Sequence, residues 1–133
     1  MVGQKPKPSP VVLMLDAVPE SVPVARHVVA GFAEECEGEA EHVALATTEA
    51  VTNAVIHAYR DRESGPVRLC AMLEGGDLVV TVRDEGVGMQ ANSDSPGMGY
   101  GLSLISALTK TIRFSSSQGK GLEVAMRFPC HDD

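Results

Sequence analysis

With 133 residues, 44% of them apolar and 22% charged, the chain is long enough to enclose one hydrophobic core and too short for two ordinary domains. A net charge of −7 argues against binding through nucleic-acid phosphates, which takes clustered Lys and Arg. Cys36, Cys70 and Cys130 are odd in number, widely spaced and without a C-x-x-C pair, so they point to a reducing compartment rather than a disulfide scaffold.

Residues 1–10, with Gln4-Lys5-Pro6-Lys7-Pro8, read as a flexible tail, and residues 11–133 as one domain. The apolar run at 11–15 is too short for an export signal or a membrane span, so a cytoplasmic protein without membrane contact is expected. Residues 11–16 predict a strand closed by Pro19. Ser21 is the expected cap of a first helix, with Pro23 tolerated in its first turn and Gly38 as its stop. Between them Val24, Val28, Phe32 and Ala33 recur at helical spacing.

A second helix is expected from about residue 39 to 59, then a polar turn at 61–66. A hairpin follows: strands at 67–73 and 78–82 around Glu74-Gly75-Gly76-Asp77. Residues 85–101 are glycine-rich and polar, residues 102–108 predict a short helix, and 111–115 with 122–128 predict a second hairpin around Gly119 and Gly121. Aromatic residues are only 4%, so the core must be mostly Val, Leu, Ala and Met. Helices early and hairpins late predict an α/β two-layer sandwich, a mostly antiparallel sheet covered on one face by helices.

The second helix is the most informative element. Ala44, Val51, Val55 and Ala58 are expected to share a face on the sheet. Glu49, Asn53 and His57 stand at i, i+4 and i+8, which stacks them on another side. Asn is a mediocre residue inside a helix, because its amide competes with the backbone. An amide oxygen suits Mg²⁺, and a carboxylate one turn away can take a proton from an attacking hydroxyl. Alone, the stripe also reads as a solvated helix face, with His42 and Arg60 nearby.

Two further features follow. Residues 78–82 run through Arg83 into Asp84-Glu85-Gly86-Val87-Gly88, which puts an acceptor-only carboxylate at the mouth of an apolar strand. Such a group can accept a hydrogen bond from an exocyclic amine such as that of adenine. Gly86 and Gly88 would let the backbone turn and approach a flat ring; a plain Asp-x-Gly turn is the other reading. Gly97-Met98-Gly99-Tyr100-Gly101 precedes Leu102-Ser103-Leu104-Ile105. Bare N–H groups before a helix make a phosphate cradle, or simply a flexible loop. The spacing is neither a dinucleotide fingerprint nor a Walker loop, and no protein-kinase hinge or D-F-G element can be read.

Together and in this order, Glu49-x-x-x-Asn53, Asp84-x-Gly86-x-Gly88 and Gly97-x-Gly99-x-Gly101 resemble the ATPase superfamily of gyrase, histidine kinases and mismatch-repair ATPases. Glu49-Ala50-Val51-Thr52-Asn53-Ala54-Val55-Ile56-His57 and the second glycine cluster are similar to anti-sigma-factor serine/threonine protein kinases, over residues 11–128. The resemblance implies a Bergerat ATP-binding fold with ATP and Mg²⁺ as cofactors. Asn53 would coordinate the metal, Glu49 would be the general base, and Asp84 would receive the adenine amine. Gly86 and Gly88 would shape the base pocket; Gly99, Tyr100, Gly101 and Leu102 would wall the phosphates. His57 would line the rim. Implied partners are a sigma factor and a small antagonist protein phosphorylated on Ser or Thr, and such kinases often work as dimers.

Two departures qualify the resemblance. Residues 89–96 contain no Arg or Lys, and Ser95 and Pro96 stand where relatives often carry a basic residue. Gly119-Lys120-Gly121-Leu122 lacks the threonine usual at the final turn. A regulatory module that binds ATP without transferring phosphate is therefore the alternative. The catalytic part of a histidine kinase is a third reading, disfavoured by the short lid and by the lack of a preceding helix with a phosphoacceptor His.

Overall fold

Apolar residues alternate along the strands, and that period of two turns one face of a sheet toward the helices. The computed structural model describes residues 8–59, 63–86, 102–116 and 121–130. Strands β1 (Val11–Asp16), β2 (Pro66–Glu74), β3 (Asp77–Asp84), β4 (Thr111–Ser116) and β5 (Leu122–Pro129) form one sheet in the order β1-β2-β3-β5-β4. Every neighbouring pair is antiparallel. The registers align Leu13, Leu69, Val82, Val124 and Phe114 in one row, and Val11, Ala71, Val80, Met126 and Ile112 in the next. The β2–β3 connection has φ of 59° at Gly75 and 84° at Gly76. Two positive values at the centre of a two-residue loop are what a tight hairpin with native twist demands.

Helix α1 (Ser21–Glu35) buries Ala25, Val29, Phe32 and Ala33, and α2 (Ala40–Asn53) buries Val43, Ala46, Thr47, Ala50 and Val51. The two helices pack on each other and on the sheet, and α3 (Leu102–Leu108) packs against α2. This is the expected two-layer α/β sandwich of the Bergerat type. Of the expected tail, residues 1–7 lie outside the described residues.

Several boundaries depart from expectation. Ser21 lies inside α1, whose flanking residue is Glu20, and no side chain caps that end. The stop of α1 is Glu37, not Gly38: Glu37 takes the left-handed conformation, with φ of 59°. Its N–H donates to Glu34 O at 3.2 Å and that of Gly38 to Ala33 O at 2.8 Å, which satisfies two of the last carbonyls. Ala44 faces the α1–α2 groove, beside Pro23, Arg26 and His27, rather than the sheet.

The single long helix expected to residue 59 is interrupted. After Asn53 the chain forms a π turn, Ala54–Ala58, with i→i+5 bonding. The wider turn buries Ala54 and Ala58 and leaves Ile56 57% exposed.

The other face of the sheet is open. Val12 and Met14 of β1 and Met72 of β2 are exposed there, on the same face as half-buried Cys70, Val79 and Ala125. No helix among the described residues is long and apolar enough to cross a membrane.

Candidate functional site

Asp84 continues the inward alternation of Val80 and Val82, so the pleat itself delivers a carboxylate to the buried face at the end of β3. It is 5% exposed. Its Oδ1 accepts the N–H of Gly86 at 2.9 Å and that of Leu122 at 3.3 Å. Among the described residues no donor reaches Oδ2. Burial pushes the carboxyl above its ordinary value of 3.8, and the two N–H donors pull it back less. An oriented carboxylate whose second oxygen meets no donor among the described residues can accept from an amine brought from outside.

Two glycines hold this aspartate by lacking side chains. A Cβ on Gly86 would lie 1.8 Å from the carbonyl oxygen of Ala58, the last residue of the π turn. A Cβ on Gly121, where φ is 91°, would lie 2.1 Å from the Asp84 carbonyl oxygen. Gly86 thus makes room for the end of the helix layer. Its φ is not positive, so close approach alone requires glycine there.

Tyr59 stitches the same corner together. Its hydroxyl accepts the Glu85 N–H at 2.8 Å and donates to Pro66 O at 2.6 Å. Gly65 lies so close to the ring that a Cβ there would be 2.5 Å from Cε1. Neither Tyr59 nor the Leu122 N–H stood out in the sequence. The one available signal was a tyrosine closing an apolar helical run just before a polar turn. We expect Tyr59→Phe to keep the ring and remove both hydrogen bonds, costing about 1–3 kcal/mol of stability. Urea denaturation with a parallel nucleotide titration checks it, since loosening the Asp84 turn should weaken binding beyond the loss of fold.

Asn53 and Glu49 are half-buried on the last turns of α2, one turn apart, and Asn53 directly precedes the π turn that touches Gly86. The strand-end aspartate and the helix carrying the amide and carboxylate are therefore joined through Ala58 and Tyr59. His57 is half-buried within the π turn that follows Asn53. Leu102 opens α3, which packs on α2, so the helix that follows the second glycine cluster borders the same elements. Gly88, Gly99, Tyr100 and Gly101 lie outside the described residues.

The residues present fit a purine nucleotide with its metal: a buried acceptor for the amine, and an amide and a carboxylate on the adjoining helix. A family model described as the histidine kinase-like ATPase domain matches residues 15–128. An anti-sigma F factor of Clostridium acetobutylicum is 33% identical over 122 residues, covering 81% of this chain and 85% of the relative. One from Geobacillus thermodenitrificans is 39% identical over 85 residues, covering 62% and 58%. Among solved structures, the RsbU and RsbW domains of Rv1364c from Mycobacterium tuberculosis match with a TM-score of 0.71 and 21% identity. That match covers 92% of this chain and 32% of the other, so this chain spans about a third of its length, and the likeness carries the fold. Sequence and fold converge on one assignment: the chain belongs to the histidine kinase-like ATPase family, among its anti-sigma-factor members.

Proposed function

We propose that the chain is an ATP-binding anti-sigma factor and a serine/threonine protein kinase acting on a small antagonist protein. The observation that carries the reading is Asp84: a carboxylate buried at a strand end, with one oxygen fixed by two backbone N–H groups and the other meeting no donor among the described residues. In this reading its second oxygen accepts the amine of adenine. The relatives are named anti-sigma F factors, which motivates a sigma factor and an antagonist as partners.

In this reading Asn53 holds Mg²⁺ through its amide oxygen, and Glu49 accepts the proton of the Ser or Thr hydroxyl. Gly99, Tyr100, Gly101 and Leu102 wall the phosphates, and Gly88 borders the base. Bound MgATP supplies the phosphoryl group and offsets its charge. Glu49→Gln preserves size and hydrogen bonding but removes the base. Stabilisation of the fold by MgATP should therefore persist, while transfer of labelled phosphate to the antagonist falls roughly 10²–10⁴-fold. Unchanged transfer would remove Glu49 from this role, and no thermal response to MgATP in either protein would overturn the nucleotide reading.

The absence of Arg and Lys from residues 89–96 favours a second reading, a nucleotide-binding module that holds partners without transferring phosphate. Labelled ATP mixed with candidate antagonists separates the two, since the second forbids labelled Ser or Thr. The open sheet face, with Val12, Met14 and Met72 exposed, supports a homodimer in either case. A cytoplasmic location fits both readings.

A further inference from the structure

Cys36 and Cys130 are 94 positions apart, and nothing in their spacing suggests a pair, yet the fold brings their sulfurs to 2.7 Å. That is closer than non-bonded sulfurs pack and a small movement from the ~2.05 Å of a disulfide bond. Both backbones are fixed. Cys36 sits at the end of α1, where Glu37 and Gly38 close the helix by hydrogen bonds to Glu34 and Ala33. Cys130 follows β5, pairs antiparallel with Gly38, and donates its N–H to Gly76 O at 3.3 Å. Cys36 is 2% exposed and Cys130 is half-buried, so Cys130 is the more accessible residue of the two. Cys70 lies elsewhere, on the open face of β2 between Val12 and Thr81.

We propose that Cys36 and Cys130 are a modification site that hydroperoxides convert to a disulfide, tying the end of α1 to the end of β5. The Cys130 thiolate attacks a peroxide oxygen; the O–O bond breaks, leaving a sulfenic acid and water. The Cys36 sulfur then displaces that hydroxyl, its proton leaving with it as a second water. Two thiols and one H₂O₂ give one disulfide and two waters, and the two electrons come from the sulfurs. A thiol reductant reverses the step.

The tie lies beside the β2–β3 turn, at the end of β3 opposite Asp84, roughly 23 Å away at the usual strand rise. It closes a long loop of chain and is expected to staple the fold without reshaping the candidate nucleotide site.

The full-length chain, treated with H₂O₂ and then mapped as peptides without reductant, should yield a Cys36–Cys130 linked peptide and an intact mass lower by two hydrogens. Cys70→Ser should still form the link, and Cys130→Ser should not. The oxidised chain should melt about 5 °C or more above the reduced one, a difference abolished by dithiothreitol or by Cys130→Ser. The thermal shift on adding MgATP should be the same in both redox states, which keeps this inference separate from the nucleotide reading. A Cys70-containing link in place of Cys36–Cys130, over-oxidation of Cys130 without any link, or melting indifferent to the link would each overturn the proposal.

Discussion

Asp84→Asn is expected to fold at least as stably as the parent chain at neutral pH and to bind adenine nucleotide at least ten- to a hundredfold more weakly. The amide oxygen can keep both hydrogen bonds that Asp84 Oδ1 accepts, from Gly86 and Leu122. That fixes its orientation and puts the NH₂ group where Oδ2 was. A ligand amine then meets a donor instead of an acceptor, and the unsatisfied pair costs about 1–3 kcal/mol or more in a buried site. The stability side follows from the raised carboxyl pKa, whose first cause is burial. The folded state holds this proton more tightly than the unfolded chain does, so the group's contribution to stability is fully present below about 3.8 and is lost as pH rises through the folded value. At pH 7 the buried charge is a burden, which Asn removes. Nucleotide binding by the parent runs the other way: it needs the ionised acceptor and weakens as pH falls through the raised value. Denaturant melts and calorimetric nucleotide titrations, each at neutral and mildly acidic pH, check both halves. A variant that loses stability and affinity in equal measure would show that Asp84 is only a structural pin.

Much of this site was legible along the chain because its signals are local. The alternation of residues 78–82 pointed to a strand, and the next inward position falls on Asp84, so a buried carboxylate at a strand end needed no long-range knowledge. Strand β1 (Val11–Asp16) and helix α3 (Leu102–Leu108) have the expected bounds for the same reason. What stayed hidden depends on contacts between distant residues. Ala54, Val55 and Ile56 read as more helix, since nothing in an apolar run announces that Ala58 must reach Gly86 and that a π turn places it there. The Tyr59 hydroxyl joins Pro66 to Glu85, and two backbone partners carry no signature in side-chain pattern. Glu37 closing α1 with Gly38 beside it reversed the usual preference, because the hydrogen bonds to Ala33 and Glu34 fix which residue must turn left. The thiol pair was invisible for the plainest reason, a separation of 94 positions.

Gly86→Ala should be among the most damaging single substitutions in the chain, costing about 3 kcal/mol or more. The added methyl carbon would lie 1.8 Å from the Ala58 carbonyl oxygen, 2.4 Å from its carbon and 2.8 Å from its Cα, all backbone atoms that no rotamer change can clear. Relief requires either the π turn or the Asp84 turn to withdraw. Withdrawal of the Asp84 turn breaks the Gly86 N–H to Asp84 bond, and separation of the two strains the Tyr59 to Glu85 bond. The loss should therefore reach nucleotide binding even under conditions where most molecules remain folded. Gly31→Ala is the matching control: an exposed position inside α1 where an added Cβ meets nothing within 4 Å. Helix propensity alone should make that variant about 0.5–1 kcal/mol more stable than the parent. Urea midpoints for the two variants, with a thermal shift on MgATP for each, give the comparison. Equal and small effects at both positions would mean that the end of the helix layer does not bear on Gly86 in solution, and the join between Asp84 and the helix carrying Asn53 and Glu49 would lose its physical basis.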